Sequence, residues 1–247
     1  MAGLVFVDGL ISDKPGTNID VDSEITVKGD DCPYVSRGGF KLEKALKEFS
    51  IDVTGLTCID IGASTGGFTD CLLQNGAARV YSVDVGYGQL DYKLRQDKRV
   101  ICMEKINFRY MKEGDIAEKP DFACADVSFI SLKHILPVLH SLLKPDGQAV
   151  CLIKPQFEAG REQVGKNGII KDAKVHEEVI DKVLGFARDS SLLPLNLSFS
   201  PVKGGKGNIE FLLHLRKSPN PDDIDKAIEE MFKKASAVVS AAHKELY

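Results

Sequence analysis

The chain has 247 residues, which is enough for one large domain and a small additional element. Hydrophobic residues make up 43% and charged residues 28%, as in ordinary globular proteins, and no apolar run is long enough to span a bilayer. The start lacks the basic region of a signal peptide, and the six cysteines form no Cys-x-x-Cys pair, so we expect core thiols, a cytoplasmic location and no metal site. The net charge of −4 disfavours nucleic-acid binding by the whole surface but leaves room for a local basic face.

Two short strand patterns, residues 4–7 and 25–27, come first and enclose a stretch rich in turn residues. Because this is too little to bury a core, residues 1–30 are expected to form a small appended β element, and residues 31–247 the main domain. An apolar-periodic helix pattern follows over residues 41–49.

From residue 57 onwards, strand patterns alternate with helix patterns. The expected strands are residues 57–61, 79–83, 100–103, 121–125, 148–153, 195–199 and 209–215. The expected helices are residues 67–75, 90–96, 133–143, 174–190 and 221–244. This alternation predicts an α/β fold with a doubly wound, mostly parallel sheet.

The last two expected strands differ from the others because a short loop, residues 200–208, joins them without a helix. Such a connection makes an antiparallel pair, which we place at the edge of the sheet. The C-terminal residues 222–246 have an amphipathic helical pattern and are expected to pack on the sheet. The less favoured alternative for this helix is binding of a partner.

A glycine-rich turn follows the strand at residues 57–61. Gly62, Gly66 and Gly67 lie where the carboxyl end of a strand meets a helix, and glycines there let the backbone approach a ligand closely. The turn is not a P-loop, because no Gly-Lys-Ser/Thr follows, and it lacks the spacing of the dinucleotide fingerprint. Asp84 ends the next strand, where a carboxylate can accept both hydroxyls of a ribose.

The pattern Asp-x-Gly-x-x-x-Gly-Gly, beginning at Asp60 and followed by Asp84, resembles the cofactor site of S-adenosylmethionine-dependent methyltransferases. A mostly parallel sheet with an antiparallel edge hairpin resembles the class I, Rossmann-like sheet of those enzymes. The alternative is a glycine turn in some other α/β domain.

Four charged residues are expected at the ligand-binding edge of the sheet: Lys41, Asp126, Lys154 and Glu210. Asp126 and Lys154 end parallel strands, and Glu210 begins the last, antiparallel strand, so its start lies at the same edge. Each residue alone fits a solvated charge or a surface salt bridge. Together, beside a cofactor turn, they favour an active site.

In that order around such a sheet, Lys, Asp, Lys and Glu resemble the tetrad of FtsJ-like 2′-O-ribose methyltransferases. Four segments resemble the sequences of the TlyA family, whose members are often labelled haemolysins: YVSRGGFKL at 34–42, DIGASTGGFTD at 60–70, VDVGYGQL at 83–90 and IKPQFE at 153–158. The resemblance covers nearly the whole chain. It implies S-adenosylmethionine-dependent 2′-O-methylation of cytidine in ribosomal RNA, with ribosomal RNA or ribosomal subunits as partners.

The chemistry requires a base, since a ribose hydroxyl is a poor nucleophile and its proton must leave as the methyl group is attacked. A lysine serves if burial or a neighbouring cation lowers its pKa. We assign Lys154 as the base, with Lys41 as the neighbouring charge that also positions the ribose. Asp126 and Glu210 would orient the two amines and stabilise the charge that develops.

The resemblance further implies a set of cofactor-binding residues along the turn and the following strands: Asp60, Gly62, Ser64, Gly66, Phe68, Thr69, Asp84, Asn107 and Asp126. For Asn107, a loop residue without a role is an alternative. Basic residues on loops around the cleft are candidates for RNA contacts, with ordinary solvated charge as the alternative: Arg37, Arg161, Lys166, Lys171, Lys203 and Lys206.

The sequence differs from the TlyA family at its N-terminus. Family members usually begin with an S4-like RNA-binding module, and residues 1–30 resemble only its β-rich part, so we expect a partial module. Rival functions are a membrane-active haemolysin, a non-catalytic RNA-binding protein, and a methyltransferase for small molecules or proteins. The oligomeric state is left open.

Overall fold

The structure, a computed structural model, describes residues 5–12, 16–27, 32–218 and 220–247 and divides into two units, Met1–Pro33 and Tyr34–Tyr247. In the described part of the first unit, strands β1 (Val5–Val7), β2 (Leu10–Ile11) and β3 (Ile25–Val27) form an antiparallel sheet in the order β2-β1-β3. Residue 4 of the predicted first strand lies outside the described residues.

Strand β2 was missed by the sequence analysis. Asp8 and Gly9 both have positive φ, 49° and 79°, which is the conformation of a type I′ two-residue hairpin turn. Asp-Gly is a preferred sequence for that turn, so the signal was present but the strand after it has only two residues.

In the second unit, the described residues form seven further strands: β4 (Thr57–Ile61), β5 (Arg79–Asp84), β6 (Val100–Glu104), β7 (Phe122–Ala125), β8 (Gln148–Ile153), β9 (Leu192–Phe199) and β10 (Phe211–Lys217). The helices are α1 (Gly38–Glu48), α2 (Gly67–Gln74), α3 (Tyr92–Gln96), α4 (Leu136–Leu142), α5 (Pro155–Glu158), α6 (Ala173–Asp189) and α7 (Pro221–Leu246).

These strands form one sheet in the order β6-β5-β4-β7-β8-β10-β9. Strands β6, β5, β4, β7 and β8 pair in parallel with one another, while β10 is antiparallel to both β8 and β9. The prediction of a class I, Rossmann-like sheet with an antiparallel edge hairpin is therefore confirmed.

Two element boundaries were wrong for identifiable reasons. The helix predicted over residues 133–143 is a short 3-10 turn, Leu132–His134, followed by α4, because the Ser131 side chain caps the turn and Pro137 fits only a first helical turn. Strand β9 begins at Leu192, whereas the predicted strand begins at residue 195, after Pro194. Because β9 is an edge strand, it tolerates a proline, which cannot donate a backbone hydrogen bond to the ladder.

The core lies on both faces of the sheet, as the alternation of side chains along β4 illustrates. Ile59 and Ile61 pack with helices α4, α6 and α7, whereas Cys58 faces helices α1 and α2. Helix α7 buries Ile224, Ile228, Met231, Ala235, Val239 and Ala242 and packs on β9 and α6. This three-layer packing holds the carboxyl ends of the parallel strands in fixed positions.

Candidate active site

The carboxyl ends of the parallel strands carry most of the predicted site residues. Strand β4 runs into the turn that begins at Gly62, and Asp84 is the last residue of β5. Asp126 follows β7, and Lys154 follows β8 as the residue before α5. Because parallel strands point in the same direction, these groups meet at one edge of the sheet, where open α/β sheets bind ligands.

Lys41 and Glu210 reach this edge from other elements. Lys41 lies in the first half of α1. Glu210 was predicted to begin the last strand, but β10 starts one residue later, at Phe211. The segment before it is held by Asn208, whose side chain accepts from Ile170 N at 2.9 Å and donates to the Gly168 carbonyl at 2.8 Å. The Glu210 carbonyl still accepts from Ser200 N at 2.8 Å.

Four side chains, hereafter the tetrad, form a chain of contacts in which Asp126 bridges two lysines. Its Oδ2 lies 3.0 Å from Lys41 Nζ and its Oδ1 lies 2.5 Å from Lys154 Nζ. Lys41 Nζ also donates to Glu210 Oε2 at 2.7 Å. Lys41, Lys154 and Glu210 are buried, and Asp126 is partly buried. The tetrad thus combines two ammonium groups with two carboxylates.

The charges of the tetrad raise the pKa of Lys41. Burial lowers its pKa, but the charges of Asp126 and Glu210 and their hydrogen bonds outweigh burial, so the pKa of Lys41 ends above its ordinary value. Burial likewise raises the pKa of Asp126, but the charges of Lys41 and Lys154 bring it below the ordinary value. Lys41 is therefore held as an ammonium, and Asp126 as a carboxylate.

Asp60 is fully buried at the end of β4 and is only partly satisfied. Its Oδ2 accepts from Thr69 N at 2.9 Å and from Thr69 Oγ1 at 2.7 Å, and that hydroxyl also contacts Ser82 Oγ at 2.7 Å. Its Oδ1 has no hydrogen-bond partner among the described residues. Burial raises the pKa of the Asp60 carboxyl to about 7. An unsatisfied buried carboxylate oxygen beside a cavity fits a donor group of a ligand.

The turn itself requires glycine at its first position. Gly62 has φ of +83°, and a Cβ there would lie 2.8 Å from the Asp126 carbonyl oxygen. Asp84 faces the turn from β5: its Oδ2 accepts from Ser64 N at 2.8 Å and its Oδ1 from Gly86 N at 2.7 Å. Each carboxylate oxygen keeps a second lone pair, so Asp84 can still accept from two hydroxyl groups.

Three cavities adjoin along this edge. The tetrad cavity, about 330 Å³, is lined by residues that include Lys41, Asp60, Gly62, Ser64, Phe68 and Lys154. The Asp84 cavity, about 500 Å³, is lined by residues that include Gly62, Ser64, Asp84, Asn107, Phe108 and Asp126. The Phe157 cavity, about 290 Å³, is lined by residues that include Lys41, Phe129, Lys154, Phe157, Lys206 and Glu210. Ser128 lines all three.

Two predicted cofactor residues line none of these cavities. A Cβ on Gly66 would lie 2.2 Å from a Leu94 methyl carbon, so this glycine permits close packing of α3. Thr69 orients Asp60 through the two bonds above. Asn107 does line the Asp84 cavity, while its Oδ1 accepts from Arg109 N at 3.1 Å.

The predicted RNA contacts are spread around the rim. Arg37 and Lys203 line the tetrad cavity, and Lys206 lines the Phe157 cavity. Lys203 Nζ lies 4.4 Å above the ring of Tyr247. Arg161 and Lys171 are exposed and line none of the three cavities. The side chain of Lys166 lies outside the described residues.

Sequence reasoning missed Ser128 and Phe129. Ser128 Oγ accepts from Lys154 Nζ at 2.9 Å. Phe129 has φ of +62° and is 91% exposed, and its ring centroid lies 5.0 Å from that of Phe157. A bulky residue in the left-handed region marks a backbone that its surroundings constrain. The available signal was an aromatic residue shortly after a strand-ending aspartate.

Among the described residues, no group of three or more His, Cys, Asp or Glu side chains is placed to hold a metal ion. No helix in the described part of the chain is both long and apolar enough to cross a membrane.

Comparison with known proteins gives consistent matches. The chain is 54% identical to the YqxC protein of Bacillus subtilis over 247 residues, covering 100% of this chain and 87% of that protein. It is 40% identical over 235 residues to the 16S/23S rRNA (cytidine-2'-O)-methyltransferase TlyA of Mycobacterium tuberculosis, covering 95% and 88%. A solved structure from Streptococcus thermophilus that carries a hemolysin name superposes with a TM-score of 0.86 and 52% identity, covering 99% and 88%.

The FtsJ-like methyltransferase model matches residues 34–217, which is most of the second unit. The match spans the glycine turn and all four residues of the tetrad. The chain therefore belongs to the FtsJ-like methyltransferase family, and S-adenosylmethionine is its cofactor.

Proposed function

We propose that this protein transfers a methyl group from S-adenosylmethionine to the 2′-hydroxyl of a cytidine in ribosomal RNA. The observation that carries the proposal is the bridge of Asp126 between Lys41 and Lys154, at a cavity shared with the glycine turn. The M. tuberculosis relative is named as a cytidine 2'-O-methyltransferase of 16S and 23S rRNA, and the chain shares 40% identity with it.

The residues at the turn fit the cofactor. The unsatisfied Asp60 Oδ1 is an acceptor for the amino group of its methionine part, and Asp84 has lone pairs left for the two ribose hydroxyls. Gly62, Ser64, Phe68 and Asp126 would line the rest of its path, with Asn107 beside the adenine. When bound, the cofactor supplies a methyl group on a positively charged sulfur.

The tetrad supplies proton transfer. The ribose hydroxyl would give its proton to Lys154 Nζ while its oxygen bonds to the methyl group and the methyl–sulfur bond breaks, so a neutral thioether leaves and Lys154 ends as an ammonium. Asp126 Oδ1, 2.5 Å from Lys154 Nζ, stabilises that new charge. Lys41 remains protonated between Asp126 and Glu210, and its fixed charge orients the ribose oxygens.

RNA would approach over the basic rim. Arg37, Lys203 and Lys206 provide cations at the cavity walls for phosphate groups. Modification of a nucleotide inside folded RNA requires that it leave its stack, and an exposed ring such as that of Phe129 can receive the unstacked base. For the first unit, RNA binding by a partial S4-like element is part of the same proposal.

The test is methyl transfer from labelled S-adenosylmethionine to ribosomal subunits that lack the modification, followed by mapping of the product. We expect 2′-O-methylcytidine with the wild type and a loss of at least about 100-fold with Lys154→Ala. Lys226→Ala, at an exposed position of α7, is the matched control and should retain full activity.

The outcomes separate the parts of the proposal. Cofactor binding without transfer to any ribosomal RNA would contradict the substrate, and a methyl group found on a base would contradict the reaction. Full activity of Lys154→Ala would contradict the assignment of Lys154 as the base but not the proposed reaction.

A further inference from the structure

The amine of Lys154 has two polar neighbours, an ion-pair partner in the tetrad and a hydrogen-bond acceptor outside it. Asp126 Oδ1 lies 2.5 Å from Lys154 Nζ, and Ser128 Oγ accepts from the same nitrogen at 2.9 Å. Ser128 lies two residues after Asp126 on the loop that follows β7. Lys154 itself is buried, with its side chain 9% exposed, so the loss of a protein acceptor leaves few replacements.

The number of acceptors matters for a lysine that acts as a base. A neutral amine has two N–H groups and one lone pair. Ser128 accepts one N–H group, and the Asp126 carboxylate, 2.5 Å from the nitrogen, lies on another side of it, so few directions are left for the lone pair. The amine lies at the cavity wall, since Lys154 lines two of the three cavities and Ser128 lines all three. With Asp126 alone, the amine could rotate about the Cε–Nζ bond, and the direction of its lone pair would no longer be fixed.

The loop that carries Ser128 is anchored at both ends. At its start, Asp126 N donates to the Ile61 carbonyl at 3.0 Å. At its end, Glu158 accepts from Ser131 Oγ at 2.6 Å and from Leu132 N at 2.7 Å. Glu158 is buried and follows Lys154 by four residues, so the same short segment holds both the base and the loop. Ser128 is therefore placed by fixed structure and not by a free loop.

We propose that Ser128 is a positioning residue for the methyl transfer: its hydroxyl oxygen holds one N–H group of Lys154, so that the lone pair of the amine points at the ribose hydroxyl. The proposal rests on the proposed function, in which Lys154 is the base. It adds a group outside the tetrad, and it assigns Ser128 no contact with the methyl group.

The experiment compares the wild type with Ser128→Ala and Ser128→Thr in the full chain. Steady-state methyl transfer to unmodified ribosomal subunits gives kcat and KM, and calorimetry gives the dissociation constant of S-adenosylmethionine. Ser128→Ala should lower kcat by about 10- to 100-fold, the range for one hydrogen bond to a charged group, with KM for RNA and cofactor affinity changed less than about threefold. Ser128→Thr keeps the oxygen and should recover most of kcat.

A remote hydroxyl serves as the control. Ser141 Oγ donates to the Val138 carbonyl within α4, and Ser141→Ala should leave kcat unchanged. Loss of kcat in Ser128→Ala with recovery in Ser128→Thr supports the proposal, because a merely structural loss would also change KM, cofactor affinity or melting temperature.

Three results would overturn the inference. Unchanged kcat in Ser128→Ala, or a loss that appears only in KM, contradicts the positioning role while the reaction stands. An equal loss in Ser128→Thr shows that the oxygen is not what matters. Absence of methyl transfer by the wild type contradicts the proposed function, and therefore also the positioning role of Ser128.

Discussion

Thr69 donates twice to the same oxygen of Asp60, through its backbone N–H at 2.9 Å and its hydroxyl at 2.7 Å. The other oxygen of this fully buried carboxyl has no partner among the described residues. Burial raises the pKa of Asp60 to about 7, although both bonds from Thr69 oppose the rise. The group thus changes its charge near neutral pH at the wall of the tetrad cavity.

A pH dependence of folding follows from Asp60. Its pKa in the folded state lies above the ordinary carboxyl value of 3.8, so the folded protein binds more protons than the unfolded chain between pH 3.8 and about 7. The contribution of Asp60 to the free energy of unfolding is therefore largest at low pH and is lost as the pH rises to about 7. Urea unfolding across this range should show this slope in the wild type and its absence in Asp60→Asn.

Cofactor binding should show the opposite dependence. Because we propose that ionised Asp60 accepts from the amino group of the cofactor, affinity should fall as the pH drops below about 7, by at most about tenfold per unit. Calorimetry of S-adenosylmethionine between pH 5.5 and 8.5 measures this. If Asp60→Asn has the same pH profile as the wild type, another group is responsible.

Removal of the Lys41 charge should destabilise the fold. In Lys41→Met, Glu210 loses the ammonium that it is paired with, while Asp126 keeps its contact with Lys154. Breaking a buried ion pair costs about 3–5 kcal/mol. Denaturant unfolding measures the loss, and methyl transfer should be abolished as well. Lys47→Ala, an exposed position of the same helix, should change stability by less than about 0.5 kcal/mol. A stable Lys41→Met protein would mean that the two carboxyls take up protons instead.

The ring of Phe129 should matter for RNA and not for stability. It is 91% exposed, so Phe129→Ala should leave the free energy of unfolding within about 0.5 kcal/mol. If the ring stacks on the target base, kcat/KM for ribosomal RNA should fall by about 10- to 100-fold, and Phe129→Trp should retain activity. Phe232→Ala, at a half-exposed position of α7, is the control. Equal activity of Phe129→Ala and the wild type would contradict the stacking.

Gly62 and Gly55 offer a matched pair of substitutions. Both have positive φ, +83° and +75°, but a Cβ on Gly62 would lie 2.8 Å from a backbone oxygen, while a Cβ on Gly55 meets nothing within 4 Å. Gly55→Ala should cost about 1 kcal/mol from backbone strain alone. Gly62→Ala should cost more and should weaken cofactor binding, because the Asp126 carbonyl must move. An equal loss of unfolding free energy in the two variants would show that the short distance between a Cβ at position 62 and the Asp126 carbonyl adds no cost.

Local patterns in the sequence were sufficient for much of the fold. The alternation of strands and helices, the loop without a helix before the last strand, and the aspartates at strand ends all depend on neighbouring residues. The errors have separate causes: β2 has only two residues, β9 as an edge strand includes Pro194, and Asn208 ties the segment before Glu210 to another loop.

The sequence by itself determined the type of sheet, the glycine turn and the identity of the charged residues at its edge, because backbone propensities and side-chain periodicity act over a few residues. Only the tertiary structure decided that Lys41 contacts Glu210, 169 positions away, that Asp60 titrates near pH 7, and that Ser128 shares the amine of Lys154. These properties depend on burial and on distances of a few ångströms between distant segments, and packing of the whole domain sets both.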